Sequence, residues 1–273
     1  MLRDITLGQY YPVKSKIHAL DPRVKLVGTL LYIISLFVFH NLAGLVLATL
    51  FLGGMIRISK VPFGYMVRGL KAIVILMLVT AFFNLIFTPG TVLFSIWKIH
   101  ITWQGIRSAG MMFIRLSYLV MGTSLMTLTT TPNRLTDGLE SLLAPLGKVK
   151  VPVHEIAMMM SIALRFIPIL VDETDKIMKA QTARGADFES GNIIQRAKSM
   201  VPILVPLFVS AFRRANDLAM AMEARCYQGG AGRTKMKPLK YQGSDRMAYL
   251  TVWLYLGLMV FARYFIHFSL FQF

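Results

Sequence analysis

The chain alternates long apolar blocks with short basic connections. A helix needs about 20 predominantly apolar residues to cross the hydrocarbon core. The first block runs from Val24 to Phe39, with His40-Asn41 as a tight turn into the second, Leu42 to Ile56. Leu70 to Phe87 is a third, ended by Thr88-Pro89-Gly90. Ile106 to Leu128 is a fourth and Met247 to Phe268 a fifth. Between the fourth and fifth lie two further apolar runs, Ile156 to Val171 and Met200 to Phe212. Arg165 and Pro168 interrupt the first, and the second is too short to cross unaided. These two read as one-sided helices at or beyond the interface.

Charge gives the blocks a direction. The N-terminal segment carries Arg3, Lys14, Lys16, Arg23 and Lys25, and the second connection carries Arg57, Lys60, Arg68 and Lys71. Residues 88–105 have only Lys98, whereas residues 129–246 hold seventeen Lys and Arg. By the positive-inside rule the N-terminus and residues 129–246 are cytoplasmic and the C-terminus is outside. If the two interrupted runs crossed the membrane, Lys176, Lys179, Arg184, Arg196 and Lys198 would be outside, against that rule. The fold predicted is therefore an all-α integral membrane protein. Residues 1–128 form a four-helix membrane region, 129–245 a cytoplasmic or interfacial domain of about three helices, and 246–273 a last transmembrane helix.

The middle domain divides into helices at about Pro132 to Leu146, Val153 to Arg184 and Ile193 to Arg225. Thr131 serves as N-cap of the first, with Pro132 at its first position. Pro168 predicts a bend in the second, and Pro202 and Pro206 bends in the third. The Gly- and Lys-rich segment after Arg225 reads as a flexible return to the membrane near anionic lipid.

Composition agrees with a membrane protein: 55% hydrophobic and only 16% charged, with a mean hydropathy of +0.58. The net charge of +17 could attract nucleic acid, anionic lipid or acidic protein, but the loop distribution accounts for most of it. The single thiol, Cys226, excludes an internal disulfide. His154-Glu155 begins like a zinc-protease motif, but Met158 stands where a second histidine is needed, and no other metal set is spaced correctly. No cleavable signal is expected in the first residues.

Function is most legible at two helix ends. One reads Ala183-Arg184-Gly185 and the other Ala224-Arg225-Cys226. A cation is favoured at a helix C-terminus, Gly185 suits the left-handed stop, and small neighbours leave the guanidinium prominent. Its planar fork matches a carboxylate pair. A single such arginine is ordinary. Two matched ones on long helices of one domain leave an ordinary helix-end role and a pair of docking tips equally open.

The motifs follow the order of a known family. Ser15-Lys-Ile-His18-Ala-Leu20-Asp21-Pro22-Arg23-Val-Lys25 stands first, then Thr130-Thr131-Pro132, Pro152 to Glu155, Ala163-Leu164-Arg165-Phe166-Ile167-Pro168 with Glu173, and the two arginine tips. Together they resemble the transmembrane T component of energy-coupling factor importers. Cys226 departs from the glycine the family often has there, which puts the turn after it in doubt. The resemblance implies that Arg184 and Arg225 each dock into one of two ABC-type ATPase subunits. The coupling helices would cross beneath a substrate-binding membrane subunit (S component). ATP-driven motion of the tips would then release a vitamin or similar micronutrient inward.

The residues agree with that division of labour. There is no G-x-x-x-x-G-K-[ST] loop, so ATP is expected on the partners and no cofactor on this chain. No Asp or Glu occurs from Pro22 through Thr136, so the first four spans lack the carboxylates that carry proton or sodium coupling. That counts against a stand-alone secondary transporter. A lipid enzyme would need converging ligands or a nucleophile and base, and Asp172, Glu173, Asp175, Asp187 and Glu189 have no matching histidine cluster. Met158, Met159 and Met160 offer a polarizable surface for interchangeable S components, or else fill a core or touch lipid. Asp21-Pro22 reads as a helix cap, Arg23 and Lys25 as snorkelling cations, and Arg115 as facing the bundle interior.

Overall fold

In a computed structural model of the chain, residues 10–38, 42–96, 99–188, 192–230 and 236–265 are described. Arg3, His40, Asn41, Lys98, Glu189 and residues 266–268 fall outside them. The elements follow the apolar blocks. A short α1 (Lys16–Ala19) leads into α2 (Pro22–Val38), α3 (Leu42–Ser59) and α4 (Phe63–Phe87). Strands β1 (Val92–Ile96) and β2 (Ile99–Thr102) precede α5 (Trp103–Thr129) and α6 (Pro132–Leu143). A 3₁₀ turn (Ala144–Val149), α7 (Val153–Ala183), α8 (Ile193–Ala224) and α9 (Gly243–Phe265) complete the chain.

The chain is an all-α membrane protein, with one antiparallel strand pair, β1–β2, among the described residues. The apolar pattern predicts only a plain connection there. Val92-Leu-Phe-Ser-Ile and Ile-His-Ile-Thr102 are rich in β-branched and aromatic residues, which suits paired strands. The helix ahead also starts earlier than expected: α4 begins at Phe63 and turns by 63° between limbs Phe63–Lys71 and Ile73–Phe87. By length and composition, α5, α7 and Gly243–Tyr264 can each cross a bilayer, and the two α4 limbs pass the same test together. Helices α2 and α3 have 17 and 18 residues, about 26 Å each at 1.5 Å per residue.

The described residues form two compact units. Residues 10–139 and 239–265 make one, and residues 140–238 the other. The first holds the core: Tyr32, Leu36, Ala48, Leu52, Met66, Met121, Leu125, Tyr255 and Met259 are all buried. The Phe51 ring stacks on Tyr255 at 4.1 Å. The Tyr32 hydroxyl donates to the Tyr118 carbonyl at 3.2 Å. A Cβ on Gly122 would stand 2.4 Å from the Tyr32 ring. The α2–α5 contact therefore needs a small residue there, as close helix approach in membranes commonly does.

The Asp-Pro cap forms at the start of α2. Asp21 Oδ1 accepts from the Arg23 amide at 2.9 Å and from Arg23 Nε at 3.0 Å, while Oδ2 accepts from Arg23 Nη2 at 2.9 Å. Burial pushes the Asp21 carboxyl up, but the Arg23 hydrogen bonds and charge outweigh it and hold the group below its ordinary range. Arg23 also lies over Tyr241, 3.9 Å from the ring centroid. Asp245 is buried and accepts from the Asp21 amide at 2.9 Å and the Gln242 amide at 2.7 Å. One carboxylate thus caps α9 and ties it to the start of α2. The snorkelling expectation for Lys25 is corrected. Lys25 is buried, and its Nζ donates to the Thr129 carbonyl at 2.9 Å and the His18 carbonyl at 3.3 Å. The carbonyls left open where α5 ends outcompete water for the ammonium. Arg115 is half-buried, with its Nε sealed from solvent and its guanidinium 5.9 Å from the Phe37 ring centroid.

Candidate coupling site

Helices α7 and α8 make a long antiparallel pair. Glu173 on α7 accepts from Ser210 at 2.5 Å and from Arg214 at 2.7 Å, both on α8. Met158 and Ile162, near the start of α7, share a cavity of about 470 Å³ with Leu218 and Met222, near the end of α8. Toward the other end, Gln181 reaches the Pro202 carbonyl at 3.5 Å. Later residues of α8 meet earlier residues of α7 throughout. The helices contain 31 and 32 residues, and in this register their C-terminal ends lie toward opposite ends of the pair, about 40 Å apart at 1.5 Å rise per residue. The interior prolines, Pro168, Pro202 and Pro206, are accommodated without breaking either helix.

Each C-terminal end carries one of the expected tips, and the two close identically. At the α7 end, Gly185 N donates to the Thr182 carbonyl at 2.9 Å and Ala186 N to the Gln181 carbonyl at 3.0 Å. At the α8 end, Cys226 N donates to the Glu223 carbonyl at 2.8 Å and Tyr227 N to the Met222 carbonyl at 3.0 Å. This is the paired 6→1 and 5→2 pattern that ends helices through a left-handed residue. Gly185 has φ +89° and Cys226 φ +55°. The turn at Cys226, in doubt from its residue type, has the same hydrogen bonding as the glycine turn. Ala183, Arg184, Gly185, Ala224, Arg225 and Cys226 are all exposed.

The loop beyond the second tip is tied to the root of α7. His154 Nδ1 lies 3.0 Å from Glu140 Oε1, joining the ends of α6 and α7. Gly230 passes so close that a Cβ there would stand 2.4 Å from the His154 ring. Position 230 therefore has room for glycine only, where the chain passes the His154 ring.

The three methionines do not form one surface. Consecutive helical positions differ by about 100°, and accordingly Met159 and Met160 are exposed while Met158 is partly buried against Ile162, Leu218 and Met222. Two features go beyond the sequence-based expectations. One is the role of Glu173 as the clamp between α7 and α8. The other is an exposed apolar row on α8, Val205, Phe208, Val209 and Phe212, whose i, i+3, i+4, i+7 spacing is a signal the sequence does carry. Among the described residues, no group of three or more metal-ligating side chains converges.

A family model described as cobalt transport protein (CbiQ) matches residues 13–236. The chain is 54% identical over 266 residues to the energy-coupling factor transporter transmembrane protein EcfT of Clostridium kluyveri, covering 96% of this chain and 98% of that one. It is 46% identical over 264 residues to the protein of the same name from Bacillus subtilis, covering 96% and 100%, and 44% identical to that of Lactococcus lactis over 252 residues, covering 92% and 95%.

Proposed function

Because the chain belongs to the family of energy-coupling factor transporter transmembrane proteins, we propose that it is the mechanical link between two ATPase subunits and a substrate-binding membrane subunit of an importer. The observation that carries this reading is the identity of the two tips: matched helix endings, each with an exposed arginine between small residues, at opposite ends of one antiparallel pair. Each guanidinium enters an acidic groove of one ATPase as a forked, charge-assisted contact. ATP binds to those partners, and this chain takes no cofactor. When the ATPases close on ATP, they move the ends of α7 and α8, and the pair transmits that motion to the substrate-binding subunit. The cargo is a vitamin or similar micronutrient.

The pair lies on the cytoplasmic side of the plasma membrane, with the N-terminus inside and the C-terminus outside. Helix α7 is apolar enough to cross a bilayer, but a crossing would expose Lys176, Lys179 and Arg184 on the outer face. The exposed Met159 and Met160, and the α8 row from Val205 to Phe212, are the surfaces for the substrate-binding subunit. If they serve interchangeable subunits, changing them to serine shifts the competition among those subunits. Unchanged competition removes that assignment.

The test of the whole reading is copurification and uptake. Truncating an interfacial arginine paired with an acid costs about 2–5 kcal/mol, which is a ~30- to ~5,000-fold loss of affinity. Arg184→Ala and Arg225→Ala each weaken ATPase retention and transport, and the double variant loses more than either. Full transport and normal complex yield in the double variant would falsify the proposal.

A further inference from the structure

Pro22 opens α2 and Ser59 closes α3, and the charge pattern sets both of these ends on the cytoplasmic side of the membrane. Between them is a cavity of about 840 Å³ that the coupling mechanism does not use. Four cations from two separate segments line it: Lys14 and Lys16 from the N-terminal side, Arg57 and Lys60 from the end of α3. Tyr10 and Ile58 supply exposed apolar surface beside them.

Both segments are held in place. Ser15 caps α1 by accepting from the His18 amide at 3.3 Å. His18 Nε2–H donates to the Tyr11 carbonyl at 3.0 Å, and Nδ1 lies 2.7 Å from the Ser15 hydroxyl. Burial, the largest influence, holds His18 below its ordinary range. On the other side, fully buried Ser59 donates to the Ile56 carbonyl at 2.7 Å and accepts from the Val61 amide at 3.2 Å. The turn it makes puts Lys60 in the left-handed region, φ +57°. A lysine there is strained, and the turn directs it to the cavity rim. All four cations are exposed. Among the described residues none is ion-paired with a carboxylate.

We propose that this cavity binds the phosphate-bearing headgroup of an anionic phospholipid, with Lys14, Lys16, Arg57 and Lys60 on the phosphate and Tyr10 and Ile58 beside the glycerol and upper acyl chain. Four like charges converging on one volume repel one another, and a phosphodiester relieves that repulsion. The position at a span boundary supplies the ligand at high local concentration, because anionic leaflets attract clustered cations there. A free phosphate ion shares the charge chemistry but has nothing to place against Tyr10 and Ile58.

The experiment uses the full-length chain in nanodiscs of phosphatidylcholine with phosphatidylglycerol, followed by detergent release and native mass spectrometry of retained lipid. One variant carries Lys14→Gln, Lys16→Gln, Arg57→Gln and Lys60→Gln. A control carries Lys148→Gln, Lys150→Gln, Lys176→Gln and Lys179→Gln, which changes the net charge equally. Phosphatidylglycerol retention should fall about tenfold or more in the first variant and stay near wild type in the control, given the usual contribution of each basic residue near an anionic surface. A third variant, with Lys14, Lys16 and Lys60 changed to arginine, separates charge from folding and should retain lipid normally. Equal retention in the neutralised variant, equal loss in the control, or retention of phosphatidylcholine as strong as of phosphatidylglycerol overturns the proposal. So does displacement of the lipid by millimolar inorganic phosphate, which would make the site one for a free anion.

Discussion

At Cys226 the backbone occupies the left-handed region, which a side chain tolerates poorly and glycine readily. The helix nevertheless closes there with the same two hydrogen bonds as at Gly185. Cys226→Gly is therefore expected to stabilise the α8 end by up to about 1 kcal/mol. Gly185→Ala should cost about 1–2 kcal/mol at the α7 end. Hydrogen exchange at the Tyr227 and Ala186 amides, the donors that close each turn, reads both effects, with slower exchange in the first variant and faster in the second. Gly122→Ala tests a different residue-scale constraint. Its methyl group would meet the buried Tyr32 ring, so a loss of about 1–3 kcal/mol is expected, seen as a lower melting temperature of the purified chain.

Between elements, the clamp of α7 on α8 is electrostatic. The Ser210 hydroxyl, and after it the Arg214 guanidinium, hold the Glu173 carboxyl below its ordinary range. The folded state thus binds the Glu173 proton less readily than the unfolded chain does. The clamp's contribution is complete above the ordinary carboxylate range and is lost as pH falls through the lowered folded value. Arg214 is 40% exposed, so solvent screening limits the contribution to about 1 kcal/mol or less. Glu173→Gln should weaken the α7–α8 pair near neutral pH and remove this acid-dependent loss. A melting-temperature profile from neutral to acid pH for both forms checks it, and parallel curves would contradict it. The same scale explains the methionines: adjacency in sequence is divergence on a helix, so a run of three could not make one face.

For the whole molecule, the deciding property is which apolar helices cross the bilayer, and the chain carries its own probe. Cys226 is its only thiol and is exposed. In vesicles holding the chain without its ATPases, a membrane-impermeant maleimide should label Cys226 only when the cytoplasmic face is outward. Cys226 alone does not decide the matter, because two extra crossings by α7 and α8 would leave it on the same side. Thr182→Cys in a Cys226→Ser background does decide it, since residue 182 is exposed at the far end of α7. Labelling from the cytoplasmic face supports the coupling pair. Labelling from the opposite face means that α7 traverses the membrane.

Features of short range are written in the chain itself. The apolar blocks, the Asp21-Pro22 cap, the limits of α7 and α8 and the two arginine tips all depend on residues within a few positions of one another, where helix period, capping and φ preferences act directly. The sequence alone determined these, and with them the resemblance to the family. Tertiary structure decided what depends on distant partners. Lys25 is buried because the end of α5, a hundred residues away, offers it carbonyls. Asp245 joins two helix starts 224 positions apart. Glu173 becomes a clamp only because α8 returns antiparallel and brings Ser210 and Arg214 beside it. No local pattern encodes such partners, because a buried charge is placed by whichever donors and acceptors the packed chain brings to it.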